Sequence, residues 1–382
     1  MKNSVAIVDV GSTSIVTMVG ENGVNNTFKV SGKGEIFYAG FQKAEFLEPE
    51  NLKLVLANSI SNAELLSDKK IYEIYVGVPG EFCSCVTKSV NLTFPKPKKI
   101  TTFDVDNIFE TGNEEFKDNP MFKVVNKSVI YYEVDGNQRV IDPIGIKAKS
   151  VTGVVSFILA RRSFIEMFKA IFDDLKIIIK GFICSNLAEA LYLFNPKTRD
   201  KYSILVDVGY ITTNVAIVRG NGLLSLNSFS MGGGYITSDL AECLKISFNE
   251  AEKVKHKVVL GWNAGPKDFY EIDGSNGVIQ TYSASATNEI VIDRVDMICD
   301  YILKCLESCI YDLPDFLPVS ITGGGFNYIK GIKPILSNKL KRKVNLVAPD
   351  YPNINGADSS SEVGLLYLVL KSEAFTESLL EV

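Results

Sequence analysis

A short glycine-containing turn between two apolar runs occurs twice in this chain of 382 residues. The first copy reads Val5–Val8, then Asp9-Val10-Gly11-Ser12-Thr13-Ser14, then a second apolar run. The other copy leads from Ile204 through Asp207-Val208-Gly209-Tyr210-Ile211-Thr212 into Val215–Val218. An apolar β-branched run, a polar glycine turn and another apolar run form a pattern typical of a β-hairpin. Its recurrence so far along the chain indicates two related halves of one fold.

Helical and strand patterns alternate through the rest of the chain, which favours an α/β fold in two lobes. Apolar residues recur with helical spacing in several segments, which are 52–66, 100–111, 163–175, 236–244, 250–258 and 289–310. Strands are predicted for residues 71–78, 128–134 and 151–159. The basic, proline-containing segment Pro95–Lys99 is predicted to be a solvated loop.

Composition and charge exclude several classes of protein. Hydrophobic residues make up 46% of the chain, and 40 Lys and Arg against 45 Asp and Glu give a net charge of −5, which argues against a nucleic-acid binder. The longest apolar runs, Val151–Ala160 and Val363–Leu370, are shorter than the roughly 20 residues of a membrane helix. The first strand begins too early for a signal peptide, so a soluble cytoplasmic protein is expected.

Cysteine and histidine usage argues against disulfide and zinc chemistry. Seven cysteines occur without a CxxC pair, so they are expected to be reduced thiols. The single histidine, His256, is predicted to be a solvated helix residue and excludes any site built on two histidines.

Three glycine turns at strand ends carry the chemistry of a phosphate site. Backbone N–H donors in such turns can approach an anion, and nearby hydroxyls and carboxylates can hold Mg²⁺ through its waters. No Walker A loop is present. The candidate nucleotide-binding residues in these turns are Asp9, Gly11, Ser12, Thr13, Asp207, Gly209, Thr212, Gly323, Gly324 and Gly325.

The ensemble of motifs resembles the actin/Hsp70/sugar-kinase superfamily, and within it the bacterial cell-division protein family FtsA. Besides the two hairpins, the resemblance is carried by four segments: Asp142-Pro143-Ile144-Gly145, Gly233–Ala241, Ala251–Lys255 and Glu289–Arg294. It extends from Val5 to Leu370 and implies a two-lobed actin-like ATPase fold with an inserted subdomain of the FtsA type.

The resemblance also implies domains and residue roles. Gly233 and Gly234 would pass the ribose and phosphates, Glu252 and Lys255 would flank the adenosine, and Gly364 would allow close helix packing. Asp9 and Asp207 would hold Mg²⁺ through water, Asp207 is the candidate for a catalytic role, and Arg294 would contact the FtsZ C-terminal tail. The expected domains are a first core lobe (1–82, 163–197, 356–382) with an insertion (83–162) and a second core lobe (198–234, 319–355) with an insertion (235–318).

Two features depart from the family pattern. Ser14 stands where the first loop usually carries a lysine, and Tyr210 and Ile211 replace two glycines of the second loop, where bulky side chains resist positive φ. ATP binding is therefore predicted to be weak or lost, and hydrolysis slow or absent. The segment after Lys371 carries three acids and no base, so membrane contact is expected through a partner or through a tail that this sequence lacks.

The leading hypothesis is a cytoplasmic adaptor at the division site, peripheral at the inner face of the membrane. It would bind ATP and Mg²⁺, self-associate into protofilaments, engage FtsZ and bind no nucleic acid. Two alternatives stay open: another actin-like scaffold, such as a peptide-binding protein of the pilus-assembly type, and a small-molecule kinase of the same superfold.

Overall fold

The computed structural model describes residues 4–24, 27–38, 40–274 and 277–374. Most of the acidic C-terminal segment discussed above therefore lies outside the described residues. Within the described residues, no helix is both long enough and apolar enough to cross a bilayer.

Strands and helices alternate along the chain, as the sequence patterns predict. The strands are β1 (Ser4–Val10), β2 (Ser14–Asn22), β3 (Phe28–Phe37), β4 (Phe41–Gln42), β5 (Glu45–Phe46), β6 (Glu73–Val78), β7 (Cys83–Lys99), β8 (Phe122–Val134), β9 (Gln138–Val140), β10 (Lys147–Arg161), β11 (Ile178–Cys184), β12 (Ser203–Val208), β13 (Thr213–Arg219), β14 (Gly222–Phe229), β15 (Phe269–Asp273), β16 (Ile279–Ser283), β17 (Val319–Thr322) and β18 (Val344–Leu346). The α-helices are α1 (Leu52–Ser67), α2 (Thr102–Asn113), α3 (Arg162–Leu175), α4 (Ser185–Leu193), α5 (Pro196–Arg199), α6 (Gly233–Leu244), α7 (Phe248–Lys257), α8 (Ala284–Glu307), α9 (Ile332–Leu340) and α10 (Ser360–Ala374).

Two five-stranded sheets form the centres of two related lobes. Their strand orders are β11-β6-β1-β2-β3 and β14-β13-β12-β17-β18. In each sheet, three consecutive strands form an antiparallel meander (β1 to β3 and β12 to β14), and the first of these strands also pairs in parallel with a later strand. The predicted duplication is therefore visible as a shared sheet topology, and the mixed α/β class is confirmed.

The two D-V-G hairpins have the same register. Val10 pairs with Ile15 in the first, and Val208 pairs with Thr213 in the second. In each turn the glycine N–H donates to a carbonyl three residues later, at 2.9 Å in the first and 2.8 Å in the second. Each hairpin therefore ends in a turn of the same length, and the aspartate two residues before each glycine occupies an equivalent place.

A third sheet, of order β7-β10-β8-β9, lies between β6 and α3 in the sequence. Helix α2 covers one of its faces, where Ile108 packs among residues such as Val155 and Phe157. The prediction of a loop at Pro95–Lys99 is wrong, since these residues form the exposed end of β7. Strand β7 is an edge strand, where proline is tolerated because one side of the strand needs no ladder hydrogen bond.

The segment between α6 and β17 packs on the second lobe. Helices α6, α7 and α8 and the hairpin β15-β16 surround a core that includes Leu240, Val254, Val295 and Ile298. Arg294 on α8 donates to both carboxylate oxygens of Asp239 on α6, with Nη2 to Oδ1 at 2.7 Å. The domain boundaries expected from the resemblance stay predictions.

Helix α10 crosses α4 at Gly364, as the sequence suggests. A Cβ atom at this position would lie 2.8 Å from the Cα and the backbone nitrogen of Glu189. Because these are backbone atoms, they cannot turn away as a side chain could, so the two helices can approach this closely only at a glycine.

We expect Gly364→Val to lower the free energy of unfolding by about 3 kcal/mol, since the added atoms force the two helices apart. Urea denaturation measures this loss. Gly265→Val is the matched control, because a Cβ there meets only a side-chain oxygen at 3.4 Å, and its cost should stay below about 1 kcal/mol. Equal stability of the two variants would contradict the proposed close crossing.

Candidate functional site

A cavity of about 280 Å³ lies between the two lobes, where the tips of both D-V-G hairpins meet. Parallel strands β1, β6 and β11 all end at this edge of the first sheet, and β12 and β17 end at the facing edge of the second. Carboxyl ends of parallel strands at a sheet edge are a common place for ligand sites. The predicted residues that line this cavity are Asp9, Gly11, Ser12, Thr13, Asp207, Gly209, Thr212, Glu252, Lys255, Gly323 and Gly324.

Three predicted glycines lie outside the cavity lining. The N–H groups of Gly233 and Gly234 donate to the carbonyls of Gly209 and Tyr210, at 2.9 and 2.8 Å. A Cβ on Gly233 would lie 2.6 Å from the Cα of Gly325, and the Gly325 N–H donates to Val208. In this structure these glycines pack the start of α6 against the second hairpin and the loop after β17.

The two hairpin tips touch each other directly. The Ile211 N–H donates to the Ser12 hydroxyl oxygen across the cleft at 3.2 Å. A second hydrogen bond joins residues outside the cavity lining, where the Gln42 amide donates to the Tyr235 hydroxyl at 2.6 Å. These hydrogen bonds connect the two lobes directly across the cleft.

Tyr210 and Ile211 do not strain the second turn. Neither is among the non-glycine residues with positive φ in the described chain, so the expectation that their bulk opposes the turn is wrong. The Tyr210 ring instead covers Gly234 and lies 5.2 Å below the Lys255 ammonium group. Tyr210 therefore forms part of the cavity wall beside α7.

Glu252 and Lys255 form a buried ion pair on α7. Lys255 is only 3% exposed, and its Nζ lies 2.7 Å from Glu252 Oε1 and 2.9 Å from the Thr237 hydroxyl oxygen. Burial lowers the pKa of Lys255 in spite of the nearby carboxylate. Burial alone would raise the pKa of Glu252, but the charge of Lys255 and the hydrogen bonds from Lys255 and Thr237 together outweigh it, so the pKa is lowered. This ion pair is therefore held in the wall of the cavity and differs from a solvated pair on the protein surface.

His256, one residue beyond Lys255, is exposed as predicted. Its ring also stacks on Tyr328 with centroids 4.2 Å apart, and its Nε2 lies 3.2 Å from Glu252 Oε1. All seven cysteines are free thiols, which confirms the expectation from their spacing.

Buried carboxyl groups dominate the deep part of the cavity. Burial raises the pKa of Asp9, and it raises the pKa of Asp207 to about 6 with a further contribution from the charge of Asp9. The Glu189 carboxyl also faces this region, and burial with the charges of Asp207 and Asp9 raises its pKa well above the usual value. The three groups favour partial protonation as long as no cation neutralises them.

Hydrogen bonds hold the first two of these carboxylates in place. Ser185 donates to Asp9 Oδ1 at 3.0 Å, and Asn214 donates to Asp207 Oδ2 at 3.1 Å. The Asn186 amide lies between Glu189 and Asp207, 3.4 Å from each, while its Oδ1 atom is buried without a partner.

Lys33 brings a second lysine to the cavity. It extends from β3, and its ammonium group lies 2.8 Å from Glu362 Oε1 and 3.2 Å from Glu35 Oε2. Burial opposes the charge of Lys33, but these two partners outweigh it and raise its pKa. Burial raises the pKa of Glu362 to about 7. Lys33 thus places a positive charge at the cavity although Ser14 supplies none, but this charge is already paired with Glu362 and Glu35.

The sequence pattern missed the residues contributed by β3, α4 and the segment before α10. Ser185 and Asn186 directly follow β11, the strand that ends at the same sheet edge as β1, so the strand order would have indicated them. Lys33 lies mid-strand, four residues before the end of β3, and gives no comparable signal.

The chemistry of the lining fits a hydrated divalent cation better than a bare anion. Seven carboxyl groups face the cavity against two lysines, Lys33 and Lys255; the carboxyl groups belong to Asp9, Glu35, Glu189, Asp207, Glu252, Asp358 and Glu362. Within the described residues, no three metal-ligating side chains converge closely enough to bind a metal directly. A Mg²⁺ ion in this cavity would therefore be held through its waters, with the unpartnered Asn186 oxygen as a further acceptor.

Comparison with known proteins connects this geometry to one family. The family model "Cell division protein FtsA" matches residues 204–364. The cell division protein FtsA of Staphylococcus epidermidis is 24% identical over 97% of this chain and 79% of its own length. FtsA of Escherichia coli strain K12 is 21% identical over 70% of this chain and 64% of its own length.

Solved structures show the same fold. The type IV pilus biogenesis complex PilM-PilN matches with a TM-score of 0.63 and 11% identity, over 97% of this chain and 99% of that chain. MreB5 of Spiroplasma citri bound to AMPPNP matches with a TM-score of 0.53 and 11% identity, over 98% of both chains. The chain is therefore similar in sequence to FtsA proteins, most clearly over residues 204–364, and it shares the fold of these solved structures.

Proposed function

We propose that this FtsA-like chain is a cell-division adaptor that binds Mg²⁺–ATP between its lobes and organises FtsZ filaments at the division site. The observation that carries the nucleotide part is the meeting of two equivalent hairpin tips at one cavity. The partner part rests on the cell-division proteins that the chain resembles. Self-association into protofilaments and a peripheral place at the inner face of the membrane belong to the same proposal.

Mg²⁺ is central to the proposed binding because the cavity is acidic. A triphosphate carries several negative charges and would face seven carboxyl groups, while both lysines already have acidic partners. A divalent cation held through water by Asp9 and Asp207 would offset this repulsion on both sides. Without the cation, like charges in a partly desolvated site oppose binding.

Contacts already made by the groups in the cleft explain why binding should be weak. A nucleotide must break the contact between Ile211 and Ser12 before its phosphates can reach those groups. It must also compete with Glu252 and Glu362 for the two lysines. We therefore expect a Kd for Mg²⁺–ATP above about 10 μM, equivalent to less than about 7 kcal/mol of binding free energy, and slow hydrolysis at most.

In this proposal, ATP acts as a switch of lobe closure. Bound between the two hairpin tips, it would replace the direct contact between the lobes and set a different spacing between the first lobe and helices α6 to α8. Such a change would alter the surface of residues 235–318, through which FtsZ would be engaged. Asp207 is the candidate to orient a water during slow hydrolysis.

A peptide-binding scaffold of the pilus-assembly type is the second candidate. The structural match to the PilM-PilN complex favours it, with a higher TM-score than the match to MreB5. The cell-division family model and relatives favour the first candidate. Binding of the FtsZ tail, compared with binding of a pilus inner-membrane peptide, separates the two.

Mg²⁺–ATP should raise the melting temperature of the full chain, because a ligand that binds only the folded state stabilises it by about 2 kcal/mol at 50 times its Kd. Differential scanning fluorimetry should show a smaller rise for ATP with EDTA. Lys255→Gln should lose the shift, whereas Lys253→Gln should keep it, since Lys253 does not line the cavity and its ammonium group donates to the carbonyl of Asp273. No shift for the wild type at millimolar Mg²⁺–ATP would refute the nucleotide part.

The raised pKa of Asp207 predicts an unusual pH dependence of the apo protein. The folded state holds this proton more tightly than the unfolded state, whose pKa is near 3.8, so the contribution of Asp207 to stability falls as pH rises from about 4 to about 6. Asp207→Asn should therefore stabilise the apo protein by about 1–3 kcal/mol at pH 7.5 and by much less near pH 4. Urea denaturation at both pH values measures this, with Asp293→Asn on the exposed face of α8 as control. A loss of stability at pH 7.5 would contradict the account.

The proposed role of Arg294 needs a test that separates binding from folding. Arg294 is only 17% exposed and is paired with Asp239, so its replacement also leaves a carboxylate without its partner. We expect Arg294→Gln to weaken binding of the FtsZ C-terminal tail peptide at least tenfold, and Asp239→Asn to leave it unchanged or stronger. Fluorescence anisotropy measures the binding, and circular dichroism checks the fold of both variants. Equal weakening by both variants would assign the pair to structure alone.

A further inference from the structure

A second cavity, of about 300 Å³, lies where the inserted four-stranded sheet meets the first lobe. The end of α2, the start of β8 and the first two turns of α3 form its walls. The lining residues fall into a basic group, an apolar group, one acid and one amide: Lys117, Lys123, Arg162, Lys169, Phe116, Val124, Ile165, Glu166 and Asn113. None of them lines the interlobe cavity.

The lining of this cavity is basic, although the chain as a whole is acidic. Four cations against one carboxylate leave a surplus of three positive charges, whereas the whole chain has a net charge of −5. Lys117 shares its charge with Glu114 at 2.7 Å and with Glu110 at 3.8 Å. Within the described part of the chain, Arg162 and Lys169 have no carboxylate within ion-pair distance, so a surplus remains after these pairs are counted.

Arg162 is held in position by the backbone around it. Its N–H donates to the Met121 carbonyl at 2.9 Å, and its Nε donates to the Asn119 carbonyl at 2.8 Å. Its two Nη groups have no protein acceptor among the residues that the structure describes. A guanidinium group fixed through Nε and open at both Nη atoms can bind an oxyanion with little loss of side-chain entropy.

Asn113 points independently to a ligand. The residue is 9% exposed, it lines the cavity, and its Oδ1 atom is buried without a hydrogen-bond partner. A buried amide without a partner costs stability, so it marks a place where water or a ligand completes the hydrogen bonding. Rotation about the last side-chain bond would present its NH₂ group to an anion.

The apolar residues and helix α3 strengthen attraction for an anion. Phe116, Val124 and Ile165 exclude water from part of the wall, which increases the strength of charge interactions. Helix α3 begins at Arg162, so the positive end of its dipole lies at the cavity.

We propose that this cavity binds the phosphate group of an anionic ligand, with Arg162, Lys169 and Lys123 as its cationic contacts and Asn113 as a hydrogen-bond partner. The surplus of positive charge matches a phosphate dianion, and the open edge of the guanidinium matches its paired oxygens. The group could belong to a small phosphate ester or to the headgroup of an acidic lipid. The proposal does not depend on nucleotide binding between the lobes.

The test uses the full chain and two probes, glycerol 3-phosphate and phosphatidylcholine vesicles with or without phosphatidic acid. Titration calorimetry and the ¹⁵N signal of the Arg162 side chain report on the free ester, and co-sedimentation reports on the vesicles. Lys169→Gln changes one exposed side chain and should leave the fold intact, and Arg162→Gln/Lys169→Gln removes both charges. Lys180→Gln is the matched control outside the cavity, and Lys255→Gln detects binding in the interlobe cleft.

We expect saturable, salt-sensitive binding that shifts the Arg162 signal, weakens several-fold in Lys169→Gln and at least tenfold in the double variant, and is unchanged in both controls. Binding of the free ester identifies a small ligand, and binding of phosphatidic acid vesicles alone identifies a lipid headgroup. Three results would overturn the proposal: no binding of either probe, equal binding by the wild type and Lys169→Gln, or loss of binding in Lys255→Gln alone. Binding of an acidic glutamate peptide in place of both phosphate probes would also overturn it.

Discussion

The burial of two carboxyl groups, Asp9 and Asp207, which face one cavity from opposite lobes, is the constraint on which the rest of the structure depends. Asp9 and Asp207 are the second-last residues of equivalent strands, β1 and β12, and each precedes the same kind of glycine turn. Burial raises the pKa of both groups, and the charge of Asp9 contributes further to the raised pKa of Asp207. Burying two carboxyl groups side by side costs folding free energy, so stability alone does not explain this arrangement. In the proposed function, a hydrated Mg²⁺ ion would offset the charge of both groups.

Several groups at the cavity already have partners that a ligand would replace. The hydroxyl of Ser12 and the N–H of Ile211 satisfy each other across the cleft, and both lysines of the cavity pair with carboxylates of their own lobe. Each of these groups could donate a hydrogen bond or a positive charge to a phosphate, but its present contact within the protein must break first. Part of the binding free energy would then go into breaking these contacts. A conformational switch requires such a coupling between ligand binding and a change of contacts.

Much of the fold followed from local pattern, and much of the site did not. Glycine turns between β-branched runs located both hairpins, and the helical spacing in residues 52–66 located α1 almost to the residue. The pattern could not show that the Tyr210–Ile211 turn forms without positive φ, because turn geometry depends on register as well as on composition. Lys33 and Glu189 lie far from the glycine motifs in the sequence, and only strand order and helix packing bring them to the cavity. The segment Pro95–Lys99 was mistaken for a loop because an edge strand tolerates proline.

Hydrogen exchange at the two hairpin tips tests the central claim most directly. If Mg²⁺ and a nucleotide are held between the lobes, the amides of residues 11–14 and of residues 209–212 should both exchange more slowly when Mg²⁺–ATP is present, measured by mass spectrometry on the full chain. Protection of both segments together, dependent on Mg²⁺, is the predicted result. Protection of one segment alone, or of neither while ATP is demonstrably bound elsewhere, would contradict a site shared by the two lobes.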